Sequence, residues 1–387
     1  MSVTAPAGFR AAGIACGIKP SGDPDLALVV TADGRPVPSA GVFTTNLSTA
    51  APVVTTRAHL AATTGLSVGV VLNSGNANAA TGTQGRADAE RTTALVAAAL
   101  GCRPEEILVC STGLIGIPLP MAPIESGAGP LVAALAADGG ADAARAIMTT
   151  DTVRKEVVVT GDGFTVGGMA KGAAMLAPNM ATMLAVLTTD AEAAPDQLRS
   201  ALLAGVAGSF NVLSVDGCTS TNDTVLLFAS GAAGPVDPAA LDEAVAEACV
   251  SLARQMAGDA EGATKVVDVR VVGAASDDDA ARAARRVAES NLCKCSWYGE
   301  DPYWGRIVSE IGSSGAAFDP DTVSVSYGGV TVARRGIACE HDAAALKAVM
   351  GARDIEIVAD LGLGDGNASV LTNDLTHAYV DENMRTS

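Results

Sequence analysis

Short runs dense in valine and leucine alternate along most of this chain with longer alanine-rich stretches, and each texture predicts its own element. Leu26–Thr31, residues 66–72 and residues 106–110 read as strands, because four to eight mostly apolar residues bounded by turn formers suit a buried sheet. Residues 86–100 read as a helix, and residues 131–148 as a second alanine-rich helical candidate interrupted by Gly139-Gly140. Further on, the run Met-Leu-Ala-Val-Leu after Thr182 has buried-strand character. Helices are predicted near 194–207 and 238–256, with a strand at 224–228. From Thr264 the texture changes: Val267, Val269 and Val271 share one face of an alternating strand, with Asp268 and Arg270 on the other. Ser276 then caps a helix whose first turn holds Asp277, Asp278 and Asp279, where the helix dipole favours negative charge, and whose later turns hold Arg282, Arg285 and Arg286. Capping accounts for the three aspartates more simply than a metal site does. The alternation predicts a mixed α/β protein with layered sheets flanked by helices. A main unit is expected over 1–264 and a smaller α/β unit over 265–387.

Composition narrows this picture. The chain has 387 residues, 49% hydrophobic but only 3% aromatic, so its core is built from Ala, Val and Leu. With 42 glycines and a mean hydropathy of +0.31, it reads as a compact α/β protein, not a disordered one. Against 43 acidic residues stand 25 basic ones, a net charge of −18 that repels nucleic acid and anionic membranes alike. The longest uncharged stretch, residues 60–85, is full of Asn, Gly and Thr, which lipid does not accept. The N-terminus shows no apolar signal segment, and the eight cysteines form no CxxC pair, so a cytoplasmic protein with reduced thiols is expected. His59, His341 and His377 make no ligand-spaced cluster with those cysteines, which argues against zinc.

The stretch 167–186 changes the picture most. Lys171 stands ahead of 18 uncharged residues, in which a turn at Pro178-Asn179 leads to the small Ala181-Thr182 junction and then to the apolar run. One reading is plain core, with Met175, Met180 and Met183 filling gaps. The other makes Thr182 a new N-terminus, whose α-amine, titrating near pH ~8, lies beside its own hydroxyl as a base. Four polar clusters interrupt apolar sequence: residues 73–78, 111–113, 149–152 and 216–223. Each is an ordinary turn or a ligand-binding loop at a strand end. No GxSxG elbow or Walker sequence is present, the glycines of 361–366 read as a strand-end turn, and three histidines give little support to a Ser-His-Asp triad.

Seven separated motifs, in order over nearly the whole chain, resemble the ornithine acetyltransferase family. They are KGAAMLAPNMATML from Lys171 to Leu184, STGLIG from Ser111, AIMTTD from Ala146, STNDT from Ser220, DAEG from Asp259, DPYWGR from Asp301, and the tail around Asn383. Tyr303 stands where the family has asparagine, Cys295-Ser296-Trp297 replaces a more aliphatic stretch, and the tail after Asn383 is one residue shorter than usual.

The resemblance implies a precursor that cleaves itself between Ala181 and Thr182, giving an α piece 1–181 and a β piece 182–387. It implies the fold shared with self-cleaving aminopeptidases and an α2β2 heterotetramer. Thr182 is then the nucleophile that takes the acetyl group from N2-acetylornithine and passes it to glutamate, with no cofactor, in arginine biosynthesis. Thr112 and Gly113 resemble the oxyanion hole. Thr149, Lys171, Thr182, Glu261, Asn383 and Ser387 resemble substrate contacts, Glu261 meeting a cationic amino group and Lys171 a carboxylate or the Thr182 amine. Acetyl-CoA as a second donor, a hydrolase of the aminopeptidase or amidase type, a specialised pathway with another amino acid, and an uncleaved small-molecule binder are the alternatives this reading leaves open.

Overall fold

The computed structural model describes residues 2–175 and 183–384. Two compact units divide them: the described parts of Met1–Asn211 with Cys218–Met256, and those of Val212–Gly217 with Ala257–Thr386.

The first unit holds two sheets. One has four strands in the order Phe9–Ile14, Leu26–Thr31, Gly69–Asn76, Ile107–Leu114, antiparallel except for the last pair, which is parallel. The other has six, in the order Leu66–Ser67, Val37–Phe43, Thr224–Pro235, Leu184–Glu192, Thr165–Lys171, Lys155–Thr160. Its central pair, Thr224–Pro235 and Leu184–Glu192, is parallel. Side chains alternate between two cores, as the period of a strand requires. Val29, Val70, Leu72 and Leu108 face a core shared with Met169, Val186 and Leu226 of the second sheet. Leu28, Val30, Val71 and Val109 face the opposite way, onto Val96, Ile124 and Leu131 of the helices Gly82–Leu100 and Met121–Ala133. Both faces of the four-stranded sheet are covered, which is why its strands read as near-continuous apolar runs.

The second unit has its own core. Its six-stranded sheet runs Ile337–Ala338, Val330–Arg334, Ser324–Tyr327, Asp354–Asp360, Val266–Ala274, Gly366–Asn373. Val267, Val269 and Val271 pack against Ala283, Val287 and Trp297 from the helices Asp277–Ala288 and Asn291–Tyr298. The Ser276 hydroxyl accepts the Asp279 amide at 3.1 Å, the cap expected from the sequence.

Three expectations need correction. Residues 131–148 are not one helix: Met121–Ala133 ends first, Ala136 exchanges two backbone hydrogen bonds with Ala11, and a short helix Gly140–Ala146 follows. A Cβ on Gly139 would stand 1.9 Å from the Ala11 carbonyl oxygen, so glycine is needed for the chain to lie against that strand. The first of these helices was hidden by Pro123, Gly127, Gly129 and Pro130, which look like breakers in sequence. Residues 66–72 are two strands, Leu66–Ser67 in one sheet and Gly69–Asn76 in the other. The polar clusters at 73–76 and 111–113 are not loops but the last residues of paired strands.

Among the described residues no helix is long and apolar enough to cross a membrane. Nor, among them, could any group of three or more His, Cys, Asp or Glu hold a metal ion.

Candidate active site

The parallel strands Gly69–Asn76 and Ile107–Leu114 continue into polar sequence because every buried polar group there finds a partner. Ser111 Oγ donates to Asn73 Oδ1 at 2.6 Å, and Asn73 Nδ2 donates to the Asn76 carbonyl at 2.8 Å. Ser74 Oγ donates to the Ala146 carbonyl at 2.6 Å. From the segment just before the strand Thr224–Pro235, Asn222 Nδ2 bridges the carbonyls of Ala77 and Ser111 at 2.6 and 2.8 Å. This network delivers Thr112, half-buried, and Gly113, exposed, at the end of a rigid strand. Gly113 has φ +132°, and a Cβ on it would stand 2.3 Å from the Gly75 carbonyl carbon. Only glycine permits that backbone and that approach.

Lys171 closes the strand Thr165–Lys171 and is buried, with Nζ donating to Thr112 Oγ1 at 3.2 Å. The amide after it meets Asp151, a residue with no role in the sequence reading beyond its polar cluster and its motif. Asp151 Oδ1 accepts from Lys155 Nζ at 2.5 Å and from the Gly172 amide at 2.8 Å. Oδ2 accepts the Thr149 amide at 3.0 Å and its hydroxyl at 3.4 Å. Thr149 and the end of the Lys171 strand are therefore tied to one carboxylate. Burial alone would raise the Asp151 pKa, but Lys171 and Lys155, with the hydrogen bonds, outweigh it and bring it down to about 2. Lys155 is fully buried and gave no sequence signal, because nothing local distinguishes a charge that will meet its partner inside.

A pH dependence follows from the sign of that shift. Since the folded pKa lies below the unfolded one, Asp151 contributes stability above pH ~4, and the contribution disappears as pH falls towards ~2. It amounts to about 2 kcal/mol. Denaturant unfolding of the wild type and Asp151→Asn should therefore show a stability difference that shrinks by about this amount between pH ~5 and ~2. A difference independent of pH over that range would rule the account out.

Asp223, also without a role in the sequence reading beyond its motif, holds the residue that follows the Ala181-Thr182 junction: its Oδ1 accepts the Met183 amide at 2.8 Å. Burial pushes its carboxyl well above the ordinary range, against the opposing pull of the Met183 amide, Ser220, Lys171 and Thr44. Its Oδ2 is buried without a hydrogen-bond partner among the described residues. Ala181, Thr182 and Ser387 lie outside the described residues.

In the second unit, Asn383, at the end of the helix His377–Asn383, donates through Nδ2 to Glu261 Oε2 at 2.7 Å. These two residues, 122 positions apart, thus meet within the second unit. Tyr303 is exposed, with the Arg306 guanidinium 5.8 Å from its ring centre.

The ArgJ family model matches residues 10–386. The arginine biosynthesis bifunctional protein ArgJ of Thermobifida fusca is 50% identical over 384 residues, which cover 99% of each chain. Its namesake from Mycobacterium leprae is 51% identical over 392 residues, 98% of this chain and 94% of the relative. Among solved structures, the ornithine acetyltransferase of Mycobacterium tuberculosis, complexed with ornithine, is 46% identical and covers 46% of this chain and 95% of its own, with a TM-score of 0.42. The arginine biosynthesis bifunctional protein of Bacillus halodurans is 36% identical and covers 51% and 95%, with a TM-score of 0.48. With the family model matched from residue 10 to 386 and relatives half-identical over almost the full length, this chain belongs to the ArgJ family.

Proposed function

We propose that this chain is an acetyltransferase of arginine biosynthesis that moves the acetyl group of N2-acetylornithine to glutamate. The observation that carries the reading is the 3.2 Å hydrogen bond from Lys171 to Thr112, which joins two of the family-implied site residues from segments 59 positions apart. Family membership supplies the substrates, and the relatives' names supply the pathway.

In this reading the precursor cleaves between Ala181 and Thr182, and Asp223, through the Met183 amide, steadies the backbone immediately after the scissile bond. The Thr182 hydroxyl then attacks the acetyl carbonyl while its α-amine accepts the proton. Negative charge develops on the former carbonyl oxygen, to be met by the Thr112 hydroxyl and the Gly113 amide. The Lys171 ammonium polarises the Thr112 hydroxyl and so strengthens it as a donor. The amide C–N bond breaks, ornithine leaves with the proton, and the acetyl group remains as an ester on Thr182. The glutamate amine attacks that ester by the reverse path, and N-acetylglutamate departs. Glu261 and Asn383 act as substrate contacts, as does Ser387, and the cleaved chains assemble as an α2β2 tetramer. Acetyl-CoA as an additional donor fits the word bifunctional in the relatives' names.

The test is ornithine release from N2-acetylornithine with and without glutamate. Release that needs glutamate, with N-acetylglutamate formed in equal amount, is expected. Release at the same rate without glutamate would replace the transferase by a hydrolase, and no release would leave a binding protein.

A further inference from the structure

Lys19 lines a cavity of about 630 Å³ in the first unit, together with Thr149 and Asp151 and with Arg145 and Arg154 at its edge. Its position is built, not incidental. The fully buried Asp25 accepts the backbone amides of Cys16, Gly17, Ile18 and Lys19 at 2.7, 3.1, 2.6 and 2.9 Å, which clamps the loop that carries Lys19. Lys19 Cγ lies 3.0 Å from where a Cβ on Gly75 would stand, and Gly75 is the residue Gly113 approaches most closely. The Lys19 side chain therefore runs over the strand end that presents Gly113. Its Nζ donates to the carbonyls of Pro24 at 2.8 Å and Met148 at 2.7 Å, the second one residue before Thr149.

An ammonium has three N–H donors. Two are taken by carbonyls, and among the described residues the third has no partner and no carboxylate is ion-paired with Lys19. The acidic groups lining the same cavity are otherwise engaged. Asp151 is held by Lys155, Gly172 and Thr149, Glu156 pairs with Arg154 at 3.4 Å, and Asp23 accepts the Ser21 hydroxyl at 2.9 Å. The Thr149 hydroxyl makes only a long 3.4 Å contact to Asp151 and can turn to a ligand. A spare ammonium N–H and a loosely held hydroxyl lining one cavity match a group with two acceptor oxygens and one negative charge.

We propose that Lys19, with the Thr149 hydroxyl, receives the α-carboxylate of the amino-acid substrate, and is the residue by which the site prefers N-acyl amino acids to N-acyl amines. This rests on the acetyl-transfer reading for the identity of the substrate. Lys171 keeps its place on Thr112.

The experiment measures calorimetric binding of N2-acetylornithine and of N-acetylputrescine, the same molecule without its carboxylate, to the full-length wild type, Lys19→Met and Lys19→Arg. The wild type is expected to prefer acetylornithine about ten- to hundredfold, the range for a hydrogen bond to a charged group. Lys19→Met should bind the two ligands nearly equally, and Lys19→Arg should keep most of the preference. In turnover, Lys19→Met should raise KM for acetylornithine with kcat changed less than about threefold. A preference retained in Lys19→Met, or absent in the wild type, overturns the proposal, and so does failure of the wild type to bind either ligand. A role as a loop brace alone would lower binding of both ligands equally, which also overturns it. If Lys19→Met does not fold, loss of preference in a folded Lys19→Arg overturns it, and retention there beside a selective wild type supports it. Preferential binding without glutamate-dependent turnover would instead sink the acetyl-transfer reading and leave the carboxylate site standing.

Discussion

Replacing Thr182 with alanine should leave a single uncut species in an intact-mass spectrum, where the wild type gives two fragments, one ending at Ala181 and one beginning at Thr182. The same variant should lose acetyl transfer by at least about 10⁴-fold, the scale on which removal of a nucleophile is felt. The reason is that one hydroxyl serves twice. In the precursor it attacks the Ala181 carbonyl, and after cleavage it attacks the acetyl group, with the newly freed amine as its base. With three histidines in the chain, and His59 occupied by the Ile107 carbonyl at 2.8 Å and Glu90 at 3.1 Å, the amine is the simplest base at hand. Thr182→Ser, which keeps a hydroxyl, should still cleave and retain partial transfer. Cleavage at the same bond in Thr182→Ala would remove the nucleophile from the scheme, and an uncut wild type would move the protein towards the binder.

Asp151→Asn should cost about 3–5 kcal/mol of folding stability, the usual penalty for breaking a buried ion pair from one side. The substitution keeps the shape of the side chain but removes the carboxylate charge that pairs with the fully buried Lys155, and it turns an amide N–H₂ towards N–H groups that also donate. Against a total of about 5–15 kcal/mol, such a loss is visible at once in the denaturation midpoint. Activity should fall further than stability alone explains, because Asp151 also fixes Thr149 and the Gly172 amide next to Lys171. A loss below about 1 kcal/mol would mean that the pair is solvated or replaced by another contact.

Residues on one strand or one helix were legible where local chemistry settles them. The alternation at Val267, Val269 and Val271 places them in one core, and Ser276 with Asp277, Asp278 and Asp279 begins a helix. Both patterns depend only on neighbours a few residues away. Strand ends were less legible. Asn73, Ser74, Ser111 and Thr112 look like turn formers, yet they extend two parallel strands because Asn222 and Ala146 meet their polar groups. The site motifs were recognisable through resemblance, but no pattern of hydrophobic and polar positions says that Lys171 touches Thr112.

By itself, then, the sequence determined the alternating α/β character, the predominantly aliphatic core, the acidic charge balance and the order of the motifs. These follow from composition and from periodicities of two and 3.6 residues. Only the tertiary structure decided that Asp151 joins Thr149, Lys155 and Gly172, that Asp223 holds Met183, and that Asp25 sets Lys19 over Gly75. Each of those is a buried polar group whose free energy depends on a partner from a distant segment, and such a partner exists only once the sheets have packed.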